Sequence, residues 1–376
     1  MFGLYIHVPF CATRCGYCDF NTYTPGELGG NGYDIPGYLN ALEKELEMAT
    51  ARVNREAQTV FIGGGTPSLL GAENLGRILK RVKNTFGLAP DAEVTTESNP
   101  ESTSPEYFAG IREAGFNRVS LGMQSAAPHV LQVLERAHTP GRAFDAAREA
   151  QNAGFDHVNL DMIYATPTET DEDCVRTVEK AIATGVDHVS AYSLIVERGT
   201  RMYRKVKKGE LPAPDEDVMA HRYRLIANAL ESAGFDWYEV SNWAKPGGEC
   251  EHNLVYWRDG NWWGAGPGAH SHVDDKRFYN VKHPARYFRM LSENTLPIGG
   301  SEDLTAADRH TERIMLGLRL KEGVPRDWLA LTTTLQSYLD RGLLLASDDR
   351  IKVSDEGRLL VDGIVADLLV AEEERV

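Results

Sequence analysis

Three cysteines lie within eight residues, at Cys11, Cys15 and Cys18, directly after the apolar run Leu4–Val8. The run predicts a β-strand, so the cysteines begin the loop that follows it. Three thiolates can hold three irons of a [4Fe–4S] cubane and leave the fourth iron open to a small ligand. Structural zinc is the alternative, but it needs four tetrahedral ligands, and no second Cys or His pair follows nearby. The spacing therefore predicts an iron–sulfur cluster with one open iron.

An open iron suits S-adenosylmethionine (SAM), because its amino and carboxylate groups can chelate the metal and bring its sulfonium within reach of an electron. The Gly63-Gly-Gly-Thr66 turn after the second predicted strand would let backbone groups approach such a ligand, although ordinary turn chemistry is an equal alternative. Glu97, Gln124 and Asp161 follow the next three strands. Each alone is more often a buried polar group with a partner, but barrel enzymes gather strand-end residues in one pocket. We expect these residues to share a pocket with the cysteines.

The first 200 residues alternate short β-branched runs with amphipathic segments, which predicts parallel βα units. Six units are fewer than the eight of a closed barrel, so we predict a partial (β/α)6 TIM-like barrel. A flat, doubly wound α/β sheet is the alternative. The predicted strands are Leu4–Val8, Val60–Ile62, Glu93–Glu97, Arg118–Leu121, His157–Ile163 and His188–Leu194.

The remaining chain predicts an α+β extension and a small C-terminal domain. A long helix over Asp215–Ser232 leads into residues 237–272, whose weak periodicity predicts an irregular, loop-built region. Residues 301–376 predict helices followed by a hairpin within Gly342–Ser354, as in a winged-helix-like domain. The three predicted parts are 1–235, 236–300 and 301–376. The last part has 10 Lys and Arg against 16 Asp and Glu, a net charge of -6, so packing or docking is favoured over DNA binding.

Composition narrows the class of protein further. A net charge of -15 argues against a general nucleic-acid binder, which needs cations to neutralise phosphates. The N-terminus lacks the basic start of a signal peptide, and no apolar run approaches the roughly 20 residues of a membrane span. We expect a cytoplasmic protein with reduced cysteines, in which Cys174 is an ordinary buried thiol.

Two motifs, Tyr5-Ile-His-Val-Pro-Phe-Cys11 and Gly63-Gly-Gly-Thr-Pro67, carry a resemblance to a known family. They resemble the radical SAM superfamily, and within it the branch of oxygen-independent coproporphyrinogen III dehydrogenase and the HemW haem chaperones, over nearly the whole chain. The resemblance implies contacts to the cluster-bound SAM from Tyr5, Gly65 and Glu97, with Gly64 in the same turn. It implies further SAM contacts from the residues that match a second site, which are Tyr17, Thr66, Gln124, Arg136, Asp161 and Ile195.

Two departures separate this chain from the dehydrogenase. That enzyme has a fourth cysteine two residues after the third, where this chain has Phe20, and it has an extension before its first strand that this sequence lacks. The segment His252-Asn-Leu-Val-Tyr256-Trp257 is similar to a signature of the HemW branch. The resemblance thus implies a haem chaperone.

The haem ligand is left open by the sequence. A neutral imidazole at His252 is a natural axial ligand, and the neighbouring Tyr and Trp rings could pack on the macrocycle. A lone histidine is more often a hydrogen-bonded structural residue. The Cys250 thiolate is an alternative ligand, and His270 and His272 are further candidates.

We therefore predict a haem chaperone that binds a [4Fe–4S] cluster, SAM and haem, and passes haem to apo-haemoprotein acceptors. We assign no catalytic residue and expect no coproporphyrinogen III dehydrogenase activity. The prediction allows a homodimer and peripheral contact with a membrane. The alternatives are oxidative decarboxylation of coproporphyrinogen III propionates by a 5′-deoxyadenosyl radical, and a radical SAM reaction on another substrate.

Overall fold

A twelve-stranded sheet spans Phe2 to Asp303 in the computed structural model, which describes residues 1–28, 34–136 and 139–374. Its strands are β1 (Phe2–Val8), β2 (Ala57–Gly64), β3 (Leu88–Ser98), β4 (Arg118–Gln124), β5 (His157–Tyr164), β6 (His188–Ser193), β7 (Asp236–Glu239), β8 (Asn242–Ala244), β9 (Asn261–Ala265), β10 (His270–Val273), β11 (Lys276–Asn280) and β12 (Ile298–Asp303). The order across the sheet is β12-β11-β10-β9-β1-β2-β3-β4-β5-β6-β8-β7. A separate small sheet holds β13 (Val324–Pro325), β14 (Leu344–Ala346) and β15 (Arg350–Val353).

Helices connect most of the strands, and α2 and α3 pack against the outer face of the sheet. In the described residues they are α1 (Pro25–Leu28), α2 (Ile35–Thr50), α3 (Gly71–Thr85), α4 (Pro105–Ala114), α5 (Pro128–Val133), α6 (Arg142–Asn152), α7 (Asp171–Ala183), α8 (Arg201–Lys207), α9 (Glu216–Ser232), α10 (Glu251–Trp257), α11 (Pro284–Ser292), α12 (Ala306–Gly317), α13 (Thr333–Asp340) and α14 (Val361–Glu373). None of them is long and apolar enough to cross a bilayer.

The order of β1 to β6 decides between the two predicted architectures. All six strands are parallel and pair in sequence order. A doubly wound sheet would instead reverse its strand order at a switch point. The partial barrel is therefore confirmed, and all six predicted strands are present.

Each parallel strand sends alternate side chains to two different layers. Leu4, Ile6 and Val8 of β1 are fully buried in the core that also contains Leu42 of α2 and Leu79 of α3. The intervening positions face the inside of the barrel, where the sequence supplies mostly polar and aromatic residues. This interior layer includes Tyr5, Phe61, Thr95, Glu97, Ser120, Asp161 and Ser190.

The prediction of an irregular region at 237–272 is wrong. β7 and β8 extend the sheet antiparallel beyond β6, while β9 pairs parallel with β1 and begins a four-stranded extension on the other side. These strands are three to five residues long, too short to show a two-residue period, and their partners are distant in sequence. β12 also crosses residue 300, where the sequence predicted a boundary. The division into three parts stays a prediction.

The C-terminal segment matches the predicted order of elements. Helices α12 and α13 precede the antiparallel pair β14 and β15, and β13 pairs with β15 to complete a three-stranded sheet. Arg313 and Arg309 reach Asp259 on the barrel side at 3.0 and 2.8 Å. The Arg358 guanidinium lies 4.3 Å from the ring centroid of Trp237. The segment is therefore docked on the barrel by ion pairs and a cation–π contact.

Candidate functional site

A cavity of about 370 Å³ lies at the carboxyl ends of the parallel strands, and we call it the cysteine cavity. The size is within the range of small-molecule sites. It contains most of the site residues predicted from sequence: Cys11, Cys15, Tyr17, Cys18, Gly64, Gly65, Thr66, Glu97, Gln124, Arg136 and Asp161. The strand-end positions thus meet in one pocket, as the barrel topology requires.

The three cysteines are free thiols that line this cavity together. Burial raises the pKa of the Cys11 and Cys18 thiols, and the neighbouring cysteines raise it further. Within the described residues, no three His, Cys, Asp or Glu side chains are spaced to share a single metal ion. Three thiols around one cavity, of which Cys11 is buried and Cys15 and Cys18 are half-buried, fit a multi-iron cluster, whose cationic irons would replace the thiol protons.

Arg136 provides positive charge beside the cysteines. Its Nη1 donates to Cys15 Sγ at 3.5 Å, and its Nη2 donates to the Gly122 carbonyl at 3.2 Å. The buried Nε of Arg136 has no hydrogen-bond partner in the described structure. A guanidinium with a spare donor in the wall of the cavity fits an anionic group bound next to Cys15.

The glycine-rich turn holds the cysteine loop against the barrel. The Gly65 and Thr66 amides donate to the carbonyls of Val8 and Phe10, both at 2.7 Å. A Cβ on Gly65 would lie 2.4 Å from the Phe10 carbonyl oxygen, so no larger residue fits there. Thr66 Oγ1 also donates to Cys11 Sγ at 3.7 Å. Glycine is thus required at position 65 because the turn and the cysteine loop approach each other closely there.

Two carboxylates form the floor of the cavity. Burial, and then the charge of Asp161, raises the pKa of Glu97 to about 7, although Glu97 accepts a hydrogen bond from the Gly64 amide at 2.9 Å. Burial also raises the pKa of Asp161, which accepts from Ser120 Oγ at 2.8 Å and from Asn159 Nδ2 at 2.7 Å. A cationic ligand would favour the charged form of both groups.

A second cavity of about 210 Å³ continues inward, and we call it the inner cavity. It shares Glu97, Ser120 and Asp161 with the cysteine cavity, and Cys250 and His252 line its far side.

Every polar atom of the His252 ring is already engaged. Nδ1 pairs with Thr59 Oγ1 at 2.8 Å and Nε2 pairs with the Tyr256 hydroxyl at 2.7 Å, while the ring stacks on Phe61. Burial lowers the pKa of His252 to about 3, which keeps the imidazole neutral. The Cys250 thiol is also buried and donates to Glu93 Oε1 at 3.4 Å. Haem ligation by either residue stays a prediction, and it would require these contacts to break.

Three other predicted residues lie outside the cysteine cavity. The Tyr5 hydroxyl pairs with His7 Nδ1 at 2.9 Å, and Tyr5 lines the inner cavity. Ile195 lies on the surface and is 62% exposed. His272 is buried and its Nε2 contacts Arg309.

A third, more open cavity of about 480 Å³ lies beside the cysteine loop, and we call it the outer groove. Sequence reasoning missed it because its walls combine β1, the cysteine loop and single residues of β2 and β3 with α10 and the distant segment 262–282. His270, the remaining predicted candidate, faces this groove. Its lining is Tyr5, His7, Phe20, Asn21, Gly64, Glu97, Tyr256, Trp262, Gly268, Ala269, His270 and Lys282.

Sequence reasoning also missed the buried ion pair between Arg118 and Glu93, 2.8 Å apart. The sequence does place a charged residue in each of two predicted buried strands. Such residues are rarely buried without a partner, so an ion pair between them could have been predicted.

Comparison with known proteins assigns the family. The family model of the Radical SAM superfamily matches residues 5–181, and that of the HemN C-terminal domain matches residues 304–360. A Mycobacterium tuberculosis protein named "Heme chaperone HemW" is 57% identical over 98% of this chain and 95% of its own length. The chain belongs to the HemW haem-chaperone family. HemW proteins of Bacillus subtilis and Escherichia coli are 32% and 33% identical over 96% and 98% of this chain, and over 97% and 98% of their own lengths.

A solved structure supports the fold of this HemW family member. Coproporphyrinogen III oxidase (HemN) from Escherichia coli, described as a radical SAM enzyme, superposes with a TM-score of 0.83. The alignment covers 97% of this chain and 89% of HemN at 23% sequence identity. At that identity the likeness shows the shared architecture alone.

Proposed function

We propose that this chain is a haem chaperone that binds a [4Fe–4S] cluster, SAM and haem, and transfers haem to apo-haemoproteins in the cytoplasm. The observation that carries the proposal is the 57% identity to a haem chaperone over 98% of the chain. Phe20, in place of a fourth cysteine, agrees with it.

The cysteine cavity supports the cluster part of the proposal. The thiolates of Cys11, Cys15 and Cys18 would hold three irons, and Arg136 would offset part of their negative charge. When bound, the cluster supplies an open iron for SAM and an electron for its sulfonium.

The carboxylates support the SAM part. Glu97 and Asp161 lie where the ammonium, sulfonium or ribose hydroxyl groups of SAM would find acceptors. Arg136, with its spare Nε donor, suits the SAM carboxylate. The proposed SAM-binding residues are Tyr5, Tyr17, Gly64, Gly65, Thr66, Glu97, Gln124, Arg136, Asp161 and Ile195.

An anaerobic activity assay tests the chaperone against the enzyme. The chain, reconstituted with iron and sulfide, is incubated with SAM, a low-potential reductant and coproporphyrinogen III, beside Escherichia coli HemN as the positive control. We expect product from HemN and none from this chain. Formation of protoporphyrinogen by this chain would contradict the proposal and favour the dehydrogenase.

A haem-transfer assay tests the same proposal directly. The reconstituted chain is titrated with haem and then mixed with apomyoglobin as a defined acceptor. We expect saturable haem binding, followed by appearance of the myoglobin absorption spectrum. A chain that binds no haem, or that never releases it, is not a haem chaperone.

A further inference from the structure

We propose that haem docks in the outer groove and that His270 supplies the ligand to its iron. The inference rests on the proposed function, because it assigns a site to the haem that a chaperone would carry. Among the described residues, the groove offers an imidazole without hydrogen bonds, aromatic walls and one lysine.

Of His7, His252, His270 and His272, His270 is the one whose two ring nitrogens both lack a hydrogen bond to the described residues. His7 is bonded through Nδ1 to the Tyr5 hydroxyl and through Nε2 to the Asn21 carbonyl, both at 2.9 Å. His252 and His272 are held by the contacts given above. The His270 side chain is exposed and is not hydrogen-bonded to any described residue. It is therefore the imidazole of these four that can bind iron without first losing a hydrogen bond.

The orientation of the His270 ring is set by its neighbours. Its ring stacks on Tyr279 with centroids 5.3 Å apart and an interplanar angle of 26°. Its backbone carbonyl accepts a hydrogen bond from Trp262 Nε1 at 2.9 Å. Although His270 is exposed, partial desolvation of its ring, and then the charge of Lys282, lowers the pKa of His270, which favours the neutral imidazole that binds metals.

Aromatic side chains line the groove around this imidazole. The rings of Tyr256 and Trp262 meet edge to face, with centroids 4.7 Å apart. Phe20 is an apolar ring that is 60% exposed. A porphyrin face would cover Phe20 and pack on these rings, which would remove a large exposed aromatic side chain from water.

Lys282 provides a cation for the haem propionates. It is exposed, lines the groove, and its side chain makes no ion pair with any described residue. The whole chain carries a net charge of -15, which would repel most anions. An unpaired lysine beside a free imidazole and an aromatic wall therefore favours a flat, anionic ligand with an iron centre.

This assignment gives the His252 motif a different role. His252 Nε2 holds the Tyr256 hydroxyl at 2.7 Å, and Tyr256 lines both the inner cavity and the outer groove. His252 is thus a positioning residue that fixes one wall of the haem site. An exposed single ligand also suits transfer, because an acceptor can approach the iron from the open side.

Haem titration of His270→Ala tests the proposal. The cluster-loaded protein is titrated with ferric haem, and binding is followed by difference absorption and by the electron paramagnetic resonance (EPR) signal of the ferric haem. We expect the axial-ligand signature to disappear and affinity to fall about tenfold or more, because even outer partners of metal ligands are worth about 10–100-fold. Added imidazole should restore the axial-ligand signature in this variant. Lys282→Ala should weaken haem binding and leave the axial-ligand signature unchanged.

Matched variants separate the possible outcomes. His221→Ala removes another exposed histidine, on α9, and should behave as wild type. His252→Ala should weaken binding through Tyr256 but keep the wild-type EPR signature. Wild-type spectra and affinity in His270→Ala would overturn the site, and loss of the signature in His252→Ala alone would assign the iron to His252. If the wild-type chain binds no haem at all, the proposed function itself fails.

Discussion

Glu93 and Glu97 lie four residues apart on β3 and face the same interior, yet their surroundings are opposite. Glu93 accepts hydrogen bonds from Arg118 Nε at 2.8 Å, from the amides of Glu251 and His252 at 3.0 and 2.9 Å, and from the Cys250 thiol. Glu97 accepts one, from the Gly64 amide.

The contrast extends to the groups around each carboxylate. At the Glu93 end, both ring nitrogens of His252 are satisfied and the charges of Glu93 and Arg118 are paired. At the Glu97 end, the structure leaves three free thiols, a spare Arg136 donor and two carboxylates whose pKa is raised. Since buried polar groups are normally paired, a ligand is expected at the Glu97 end, which we call the open end, and the Glu93 end, which we call the closed end, is expected to stabilise the barrel. Substitutions at the two ends should therefore fail in different ways.

The largest expected effect is at the open end. Cys15→Ala should abolish the visible absorption of the reconstituted cluster, because two thiolates cannot hold a cubane with one open iron. Iron and sulfide analysis after anaerobic reconstitution measures the loss. Cys174→Ala is the matched control, since this buried thiol of α7 lies outside the cysteine cavity. Retention of a full cluster in Cys15→Ala would show that Cys15 is not a ligand.

At the closed end we expect loss of stability. Glu93→Gln leaves the buried Arg118 guanidinium without its counter-charge, and breaking such a pair costs about 3–5 kcal/mol. Urea denaturation of the iron-free chain under reducing conditions measures the free energy of unfolding. Glu113→Gln, an exposed carboxylate on α4, should change it by less than about 0.5 kcal/mol. If Glu93→Gln unfolds with the same free energy as wild type, the ion pair does not stabilise the closed end.

The sequence predicted the open end better than the closed end, for a physical reason. Cysteines, glycines and acids at the ends of β1 to β5 converge because parallel strands in sequence order bring their carboxyl ends together. Six strands were predictable because each is a β-branched run that lies between amphipathic helical segments. The partners of His252 were not predictable, since Thr59 is 193 residues away and the strand that follows α10, β9, pairs with β1 far from it in sequence. Whether a polar atom is already satisfied depends on such distant pairings.

His252→Ala tests whether the closed end is structural. The change leaves Thr59 Oγ1 and the Tyr256 hydroxyl without their partner and opens a cavity beside Phe61. We expect a loss of about 2–4 kcal/mol in the free energy of unfolding, which combines unsatisfied hydrogen bonds with cavity formation. His221→Ala is again the control. A neutral effect of His252→Ala on stability would weaken the contrast between the two ends.

The smallest expected effect is a pH dependence at the open end. Glu97 has an ordinary pKa of 4.5 when unfolded and a pKa of about 7 in the folded chain. Because the folded value is the higher one, its contribution to stability is fully present below about pH 4.5 and is lost as the pH rises through about 7. Glu97→Gln removes this titration. The free energy of unfolding of the variant, minus that of wild type, should therefore rise by about 1–3 kcal/mol between pH 4.5 and 8, each pKa unit being worth about 1.4 kcal/mol before solvent screening.

The measurement is made on the iron-free chain, because a bound cluster would change the field at Glu97. Glu113→Gln should run parallel to wild type at every pH. A pH-independent difference for Glu97→Gln would mean that Glu97 titrates like a solvated carboxylate, and the open end would then lack the buried acid that distinguishes it from Glu93. A difference that falls with pH would contradict the sign and require a cation close to Glu97, such as the Arg136 guanidinium in another conformation.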